Sequence, residues 1–156
     1  MATDRPTDAV PLLELMSTRR TTLPKRLVAP GPSDDELRQC FEATATAPDH
    51  NQLLPWRFVR IPRDQRGRLG NALARALIER DPSATDEQQA QAREKAERAP
   101  ELLLLVVDDD RGDPEVDVLE RTLSAGCAVQ NLLLAATTLG YGSALTSGKG
   151  LKSKAV

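Results

Sequence analysis

Aromatic residues are scarce: Phe41, Trp56, Phe58 and Tyr141 are all that 156 residues contain. That leaves little surface on which single-stranded bases could stack. An excess of positive charge is also missing, since 21 Lys and Arg stand against 23 Asp and Glu for a formal charge of -2. Without a basic field, neither nucleic acid nor an anionic membrane surface is an expected partner. Histidine occurs once, at His50, with no cysteine near it, so a metal centre would need carboxylates for its other ligands. No metal site is expected. Cys40 and Cys127 form no CxxC pair and sit in apolar helical patterns, which predicts buried, reduced thiols. No apolar run approaches the roughly 20 residues of a membrane helix, and the opening MATDRPTDAV lacks the basic-then-apolar pattern of a secretion signal. The expectation is a cytoplasmic protein without a membrane partner.

The hydrophobic content of 40% is enough for one substantial core, and the length is short for two, so residues 1–156 are expected to form a single domain. Asp8 can cap a first helix whose Val10, Leu12, Leu13, Leu15 and Met16 read as core-facing. Arg19, Arg20 and Thr21 follow it. After a Pro/Gly connector, Ser33 and Glu36 have the spacing of a capping box, opening a second helix with Leu37, Cys40, Phe41 and Ala45 on one face. Trp56 to Ile61 alternates as a strand with one wet face, which points Trp56 and Phe58 into the core rather than at a ligand. A helix over Arg66 to Arg80 is followed by a second capping box, Thr85 with Gln88, for a very polar helix, solvated or a lid, reaching Arg98. Leu102 to Val107 reads as a strand buried on both faces. Leu119 to Leu139 is apolar nearly all round and predicts a buried central helix capped by Gly140, with a third strand over Gly142 to Ser147.

Several tempting motifs fail. Between Gly142 and Gly148 there are five residues where a phosphate loop needs four, and Gly150 stands where a magnesium-binding hydroxyl is required. Gly140-Tyr141-Gly142 closes a helix instead of opening one, so it supplies no amide cradle for a dinucleotide. Asp49 beside His50 lacks a nucleophile elbow, and neighbouring residues seldom aim at each other. The adjacent arginines have two readings on their own: a solvated helix end whose cations complement the dipole, or a clamp in which guanidinium groups fork onto a phosphate with the Thr21 hydroxyl.

The segment Ala47-Pro48-Asp49-His50-Asn51-Gln52-Leu53-Leu54-Pro55-Trp56-Arg57-Phe58 resembles the A-P-S-x-x-N-x-Q-P-W-x-F loop of FMN-dependent nitroreductases, and its Pro-Asp-His opening resembles the small YdjA-like branch. Ser124 to Asn131, running to Gly140-Tyr141-Gly142-Ser143, is similar to that family's central helix and following strand. The resemblance implies an α+β fold, a mostly antiparallel sheet flanked by helices around a buried central helix, with FMN at a homodimer interface. It implies that Arg19, Arg20 and Thr21 hold the FMN phosphate, ribityl chain and pyrimidine edge. Thr46 and His50 would line the flavin from the partner subunit, and Leu145, Thr146 and Ser147 would follow its other side. The implied activity is ping-pong hydride transfer from NAD(P)H through flavin N5 to a nitroaromatic, quinone or similar small electron-poor acceptor. No side chain need act as nucleophile or base, and His50 is read as a hydrogen-bonding wall.

This sequence also departs from the pattern. Leu54 stands where the family usually has glutamine, and Thr46 where the branch can have a basic residue. A C-terminal arm that members normally carry is expected to be absent or truncated at Val156. The rival expectations are a flavin-binding or regulatory dimer without turnover and a degenerate structural dimer.

Overall fold

Five α-helices, two strands and several short 3-10 helices make up the regular structure of residues 9–154 and 156, the part that the computed structural model describes. The expected Asp8 cap lies outside the described residues. The chain divides into two units. The first comprises the segment ending at Thr22, Pro32–Pro55 and Val107–Ala144; the second comprises Leu23–Gly31, Trp56–Val106 and Leu145–Val156.

In the first unit, helices α1 (Ala9–Thr18) and α2 (Asp34–Thr44) both pack on the long α5 (Val118–Thr138). The predicted box starts α2: Ser33 Oγ accepts from the Glu36 amide while the Glu36 carboxylate accepts from the Ser33 amide at 2.8 Å. Leu37, Cys40 and Thr44 form its buried stripe, and covering one such Leu contributes roughly 1.5–3 kcal/mol. Helix α5 buries Arg121, Ser124, Ala125, Ala128, Val129 and Ala136, positions that recur at three and four residues as one face. Its end is a Schellman turn, with the Tyr141 amide donating to Ala136 O at 2.8 Å and the Gly140 amide to Thr137 O at 3.0 Å. Gly140 holds φ at +84°, where a side chain would be strained.

Two expectations for this unit are corrected. Leu12, Leu13 and Met16 of α1 are exposed and only Leu15 is half-buried, while Val118, Leu119 and Leu123 of α5 are exposed opposite its buried face. Cys127 lies on the open side of α5 and is exposed, whereas Cys40 is buried as expected. Burial, and then the Glu36 carboxylate, push the Cys40 thiol pKa above its ordinary value.

In the second unit, β1 (Trp56–Arg60) pairs with β2 (Leu103–Val107) in a two-stranded antiparallel sheet. Trp56 and Phe58 are half-buried and meet edge to face, centroids 5.9 Å apart, with Arg57 exposed between them as the alternation predicted, whereas Val59 and Arg60 are both exposed. Strand β2 is half-buried throughout rather than sealed on both faces, because among the described residues no third strand joins the sheet. The expected strand over Gly142 to Ser147 reduces to one parallel bridge, Thr21 with Ser143, in the first unit. Helix α3 (Arg66–Arg80) packs against α4 (Asp86–Glu94) and its 3-10 extension Lys95–Glu97. The Thr85–Gln88 capping box is present, and Ala92 and Ala96 are buried, so the polar helix is docked by its few small apolar residues. Gly70 makes the close approach possible: a Cβ there would lie 2.7 Å from the Arg93 carbonyl oxygen.

Two buried arginines that the sequence reading missed tie loops to helices. Arg66 donates to the carbonyls of Ile61, Ala99 and Pro100 in the second unit. Arg121 donates to those of Val116, Arg111 and Asp113 in the first. Both sit where the helical period calls for an apolar residue, and that was the available signal. No described helix is long and apolar enough to cross a membrane, and the described residues contain no group of His, Cys, Asp and Glu that could hold a metal ion.

Candidate functional site

The segment Arg19-Arg20-Thr21 leaves the end of α1 and is stitched to the stretch after α5. Thr21 bridges Ser143, and the Thr22 amide donates to Ser143 O at 3.0 Å. That stretch is fixed in turn from α2: the Tyr141 hydroxyl donates to Glu36 Oε2 at 2.9 Å, the same oxygen that accepts from the Ser33 amide and hydroxyl at 2.8 Å each. Three donors on one carboxylate, with Ser33's backbone bond the strongest influence, hold the Glu36 pKa below its ordinary value, and the shared proton raises that of Tyr141. The capping box thus also anchors the stretch after α5 through Tyr141, a contact invisible in its local spacing.

Arg20 Nη1 donates to Ser17 O at 2.6 Å and Arg19 O at 2.9 Å, satisfying carbonyls at the helix end. The helix-end reading therefore describes both of these Arg20 hydrogen bonds, while the side chain stays exposed and has donors to spare. Arg19 is half-buried and Thr21 exposed. Beside them the Ser143 hydroxyl is buried without a hydrogen-bond partner among the described residues. A buried orphan hydroxyl costs about 1–3 kcal/mol, so a polar ligand at this strand-like bridge would relieve it.

Thr46 and His50 lie on the turn after α2. The Thr46 hydroxyl donates to Ala43 O at 2.9 Å and accepts from Asn131 Nδ2 at 3.2 Å. His50 Nδ1 meets Glu120 Oε2 at 2.7 Å. Both anchors are on α5, about three turns or ~16 Å apart along its axis. Between Thr46 and Pro55 the backbone is strained: Asn51, Gln52 and Leu54 have φ of 56°, 51° and 46°. Such left-handed residues cost about 1–3 kcal/mol each and persist only where surroundings impose them. Here the Asp49 carboxylate accepts the Leu54 amide at 2.6 Å, Asn51 Nδ2 donates to Asp113 at 3.2 Å, and Leu53 seats against Gly112, itself at φ +73°. Leu54, the departure from the family pattern, is exposed in this strained turn.

Leu145, Thr146 and Ser147 follow Ala144 directly in the chain and belong to the second unit, where all three are exposed. The first unit therefore brings together Arg19 to Thr21 with Ser143, and separately seats Thr46 and His50 on α5.

A backbone of this kind defines a class. In a nitroreductase-like family protein from Bacillus cereus, 19% identical, the same fold covers 95% of this chain and 73% of that one with a TM-score of 0.70. A "putative nitroreductase in complex with fmn" from Desulfovibrio desulfuricans, 26% identical, matches over 88% and 65% of the two chains with a TM-score of 0.58. The pattern of the nitroreductase family matches residues 16–150, and the chain belongs to that family. Its YdjA-like branch is supported by 35% identity over 138 residues, 87% of this chain and 72% of the other, to the Escherichia coli K12 protein named "Putative NAD(P)H nitroreductase YdjA".

Proposed function

We propose that this chain is an FMN-dependent oxidoreductase that draws hydride from NADH or NADPH and reduces small electron-poor acceptors such as quinones or nitroaromatics, working as a homodimer in the cytoplasm. The family membership and the name of the E. coli relative favour an NAD(P)H oxidoreductase, and the D. desulfuricans neighbour is in complex with FMN. The observation that carries the reading is the bridge of Thr21 to Ser143, which joins the segment carrying Arg19 and Arg20 to a residue whose buried hydroxyl has no partner among the described residues. These groups fit an anionic phosphate.

In this reading Arg19 and Arg20 supply charge-assisted hydrogen bonds to the phosphate and the polar edge of the ring, with Thr21 and Ser143 completing the phosphate site. Positive charge near the pyrimidine edge stabilises negative charge that develops there on reduction. Leu145, Thr146 and Ser147 form a further wall, and Thr46 and His50 reach the flavin of the partner subunit. FMN, when bound, supplies the hydride chemistry, so the protein's own work is binding, orientation and electrostatics. The open apolar faces of α1 and α5 favour the dimer, since exposed patches of this kind mark association surfaces. The two units, each assembled from three stretches of chain, are read as parts of one domain.

Titrating purified protein into FMN and following flavin fluorescence tests this. Saturable quenching is expected at one FMN per chain, weakened at least tenfold in the Arg19→Ala/Arg20→Ala variant, the loss of at least one charge-assisted bond at about 1.5–3 kcal/mol. Unchanged affinity in that variant would reduce the arginines to surface charge. FMN retention without consumption of NAD(P)H would favour a flavin-binding module instead.

A further inference from the structure

We propose that Glu120 is a positioning residue that fixes the ring of His50 so that its Nε2 is presented to the bound flavin. The inference rests on the reading of His50 as a wall of the FMN site, and adds what sets that wall's chemistry.

His50 opens a turn whose next residues, Asn51, Gln52 and Leu54, all have left-handed backbone. Three polar anchors of this turn end on carboxylates: Asp49 for the Leu54 amide, Asp113 for Asn51, Glu120 for His50. The scaffold behind the anchors is rigid. Arg121, only 1% exposed, grips the carbonyls of Arg111, Asp113 and Val116, which fixes the loop that carries Asp113. Glu120 precedes it on α5, about 100° round the helix. One residue points inward to hold the loop and its neighbour points outward to hold the imidazole.

An ionised carboxylate only accepts hydrogen bonds, so at 2.7 Å the His50 Nδ1 must carry the hydrogen. The remaining nitrogen then has one assigned role in each state. In the neutral ring Nε2 is a lone-pair acceptor, able to receive an N–H or O–H; in the imidazolium it is a donor, able to reach a carbonyl or nitro oxygen. Nε2 has no partner among the described residues, and the side chain is 56% exposed, so a ligand can reach it. A half-exposed pair contributes little to stability. Removing it should therefore change the ring's state without unfolding the chain.

Because His50 is the only histidine, long-range proton–nitrogen NMR of the imidazole gives one unambiguous pattern. At alkaline pH the expected wild-type pattern has Nδ1 protonated and Nε2 bare. Glu120→Ala should lose that preference, and Glu120→Gln should keep it because its amide oxygen still accepts. Addition of FMN should shift the His50 resonances, and Glu120→Ala should weaken FMN binding about 3- to 10-fold, the worth of one modest hydrogen bond, with Glu120→Gln within about twofold. An Nε2-protonated wild type, or a pattern unmoved in Glu120→Ala, overturns the proposal. So does FMN binding that leaves the His50 resonances in place. Failure of the protein to bind FMN, with the Glu120-dependent pattern intact, overturns the flavin reading and the presentation of Nε2 to it, while the Glu120-dependent tautomer stands.

Discussion

Glu36, Tyr141 and Ser33 share one proton-rich junction, and its pH response follows from the sign of the shift. The Glu36 carboxylate is held below its ordinary pKa, chiefly by the Ser33 amide. A depressed carboxylate stabilises the fold above its unfolded pKa of about 4.3, and that contribution disappears as pH falls through the folded value. Urea unfolding of wild type and Glu36→Gln should therefore differ at neutral pH, and the gap should close only as pH falls below the ordinary carboxylate range. A gap that persists in acid would remove the charge from the explanation. Arg121→Met should cost at least about 2 kcal/mol in the same assay, because one buried and two partly buried carbonyls lose their donor, at about 1–3 kcal/mol for a buried one. Both capping boxes were legible because they are local, three residues from end to end. Arg66 was not, since its partners Ala99 and Pro100 lie more than thirty residues away. Glu120 was hidden for the same reason, seventy residues from His50.

At the scale of elements, period and punctuation placed the helices well. Helix α4 is largely solvated, as its polar pattern says, and only Ala92 within it and Ala96 just after it are buried. Gly70 tests its docking: Gly70→Ala places a Cβ against the Arg93 carbonyl oxygen at 2.7 Å. Overpacking of this kind costs about 1–3 kcal/mol, read as a lower urea midpoint. The strand expectations went too far for β2 and for Gly142 to Ser147. A run of six apolar residues says that a strand should be covered, and does not say whether this chain supplies the cover. Thr21 keeps its place in the candidate site even so, because a single bridge to Ser143 fixes the segment that carries the arginines.

Over the whole molecule, the feature least legible was which apolar faces stay open. Leu13 is 64% exposed and Leu123 61%, although both read as core. Sequence periodicity identifies an apolar face, but whether its cover is intramolecular or a second copy is a property of the assembled surface. Leu13→Asp with Leu123→Asp should shift light-scattering mass from dimer toward monomer and weaken FMN retention along with it, if the partner contributes Thr46 and His50. A monomeric wild type that binds FMN would contradict the shared site.

The central claim is that FMN is held here for redox work, and the visible spectrum of the reconstituted wild-type protein tests it most directly. The account predicts a yellow protein retaining about one FMN per chain, whose flavin absorbance bleaches on anaerobic addition of NADH or NADPH and returns when a quinone is added. A protein that stays colourless after reconstitution, or a flavin that keeps its colour with both nucleotides, would contradict it.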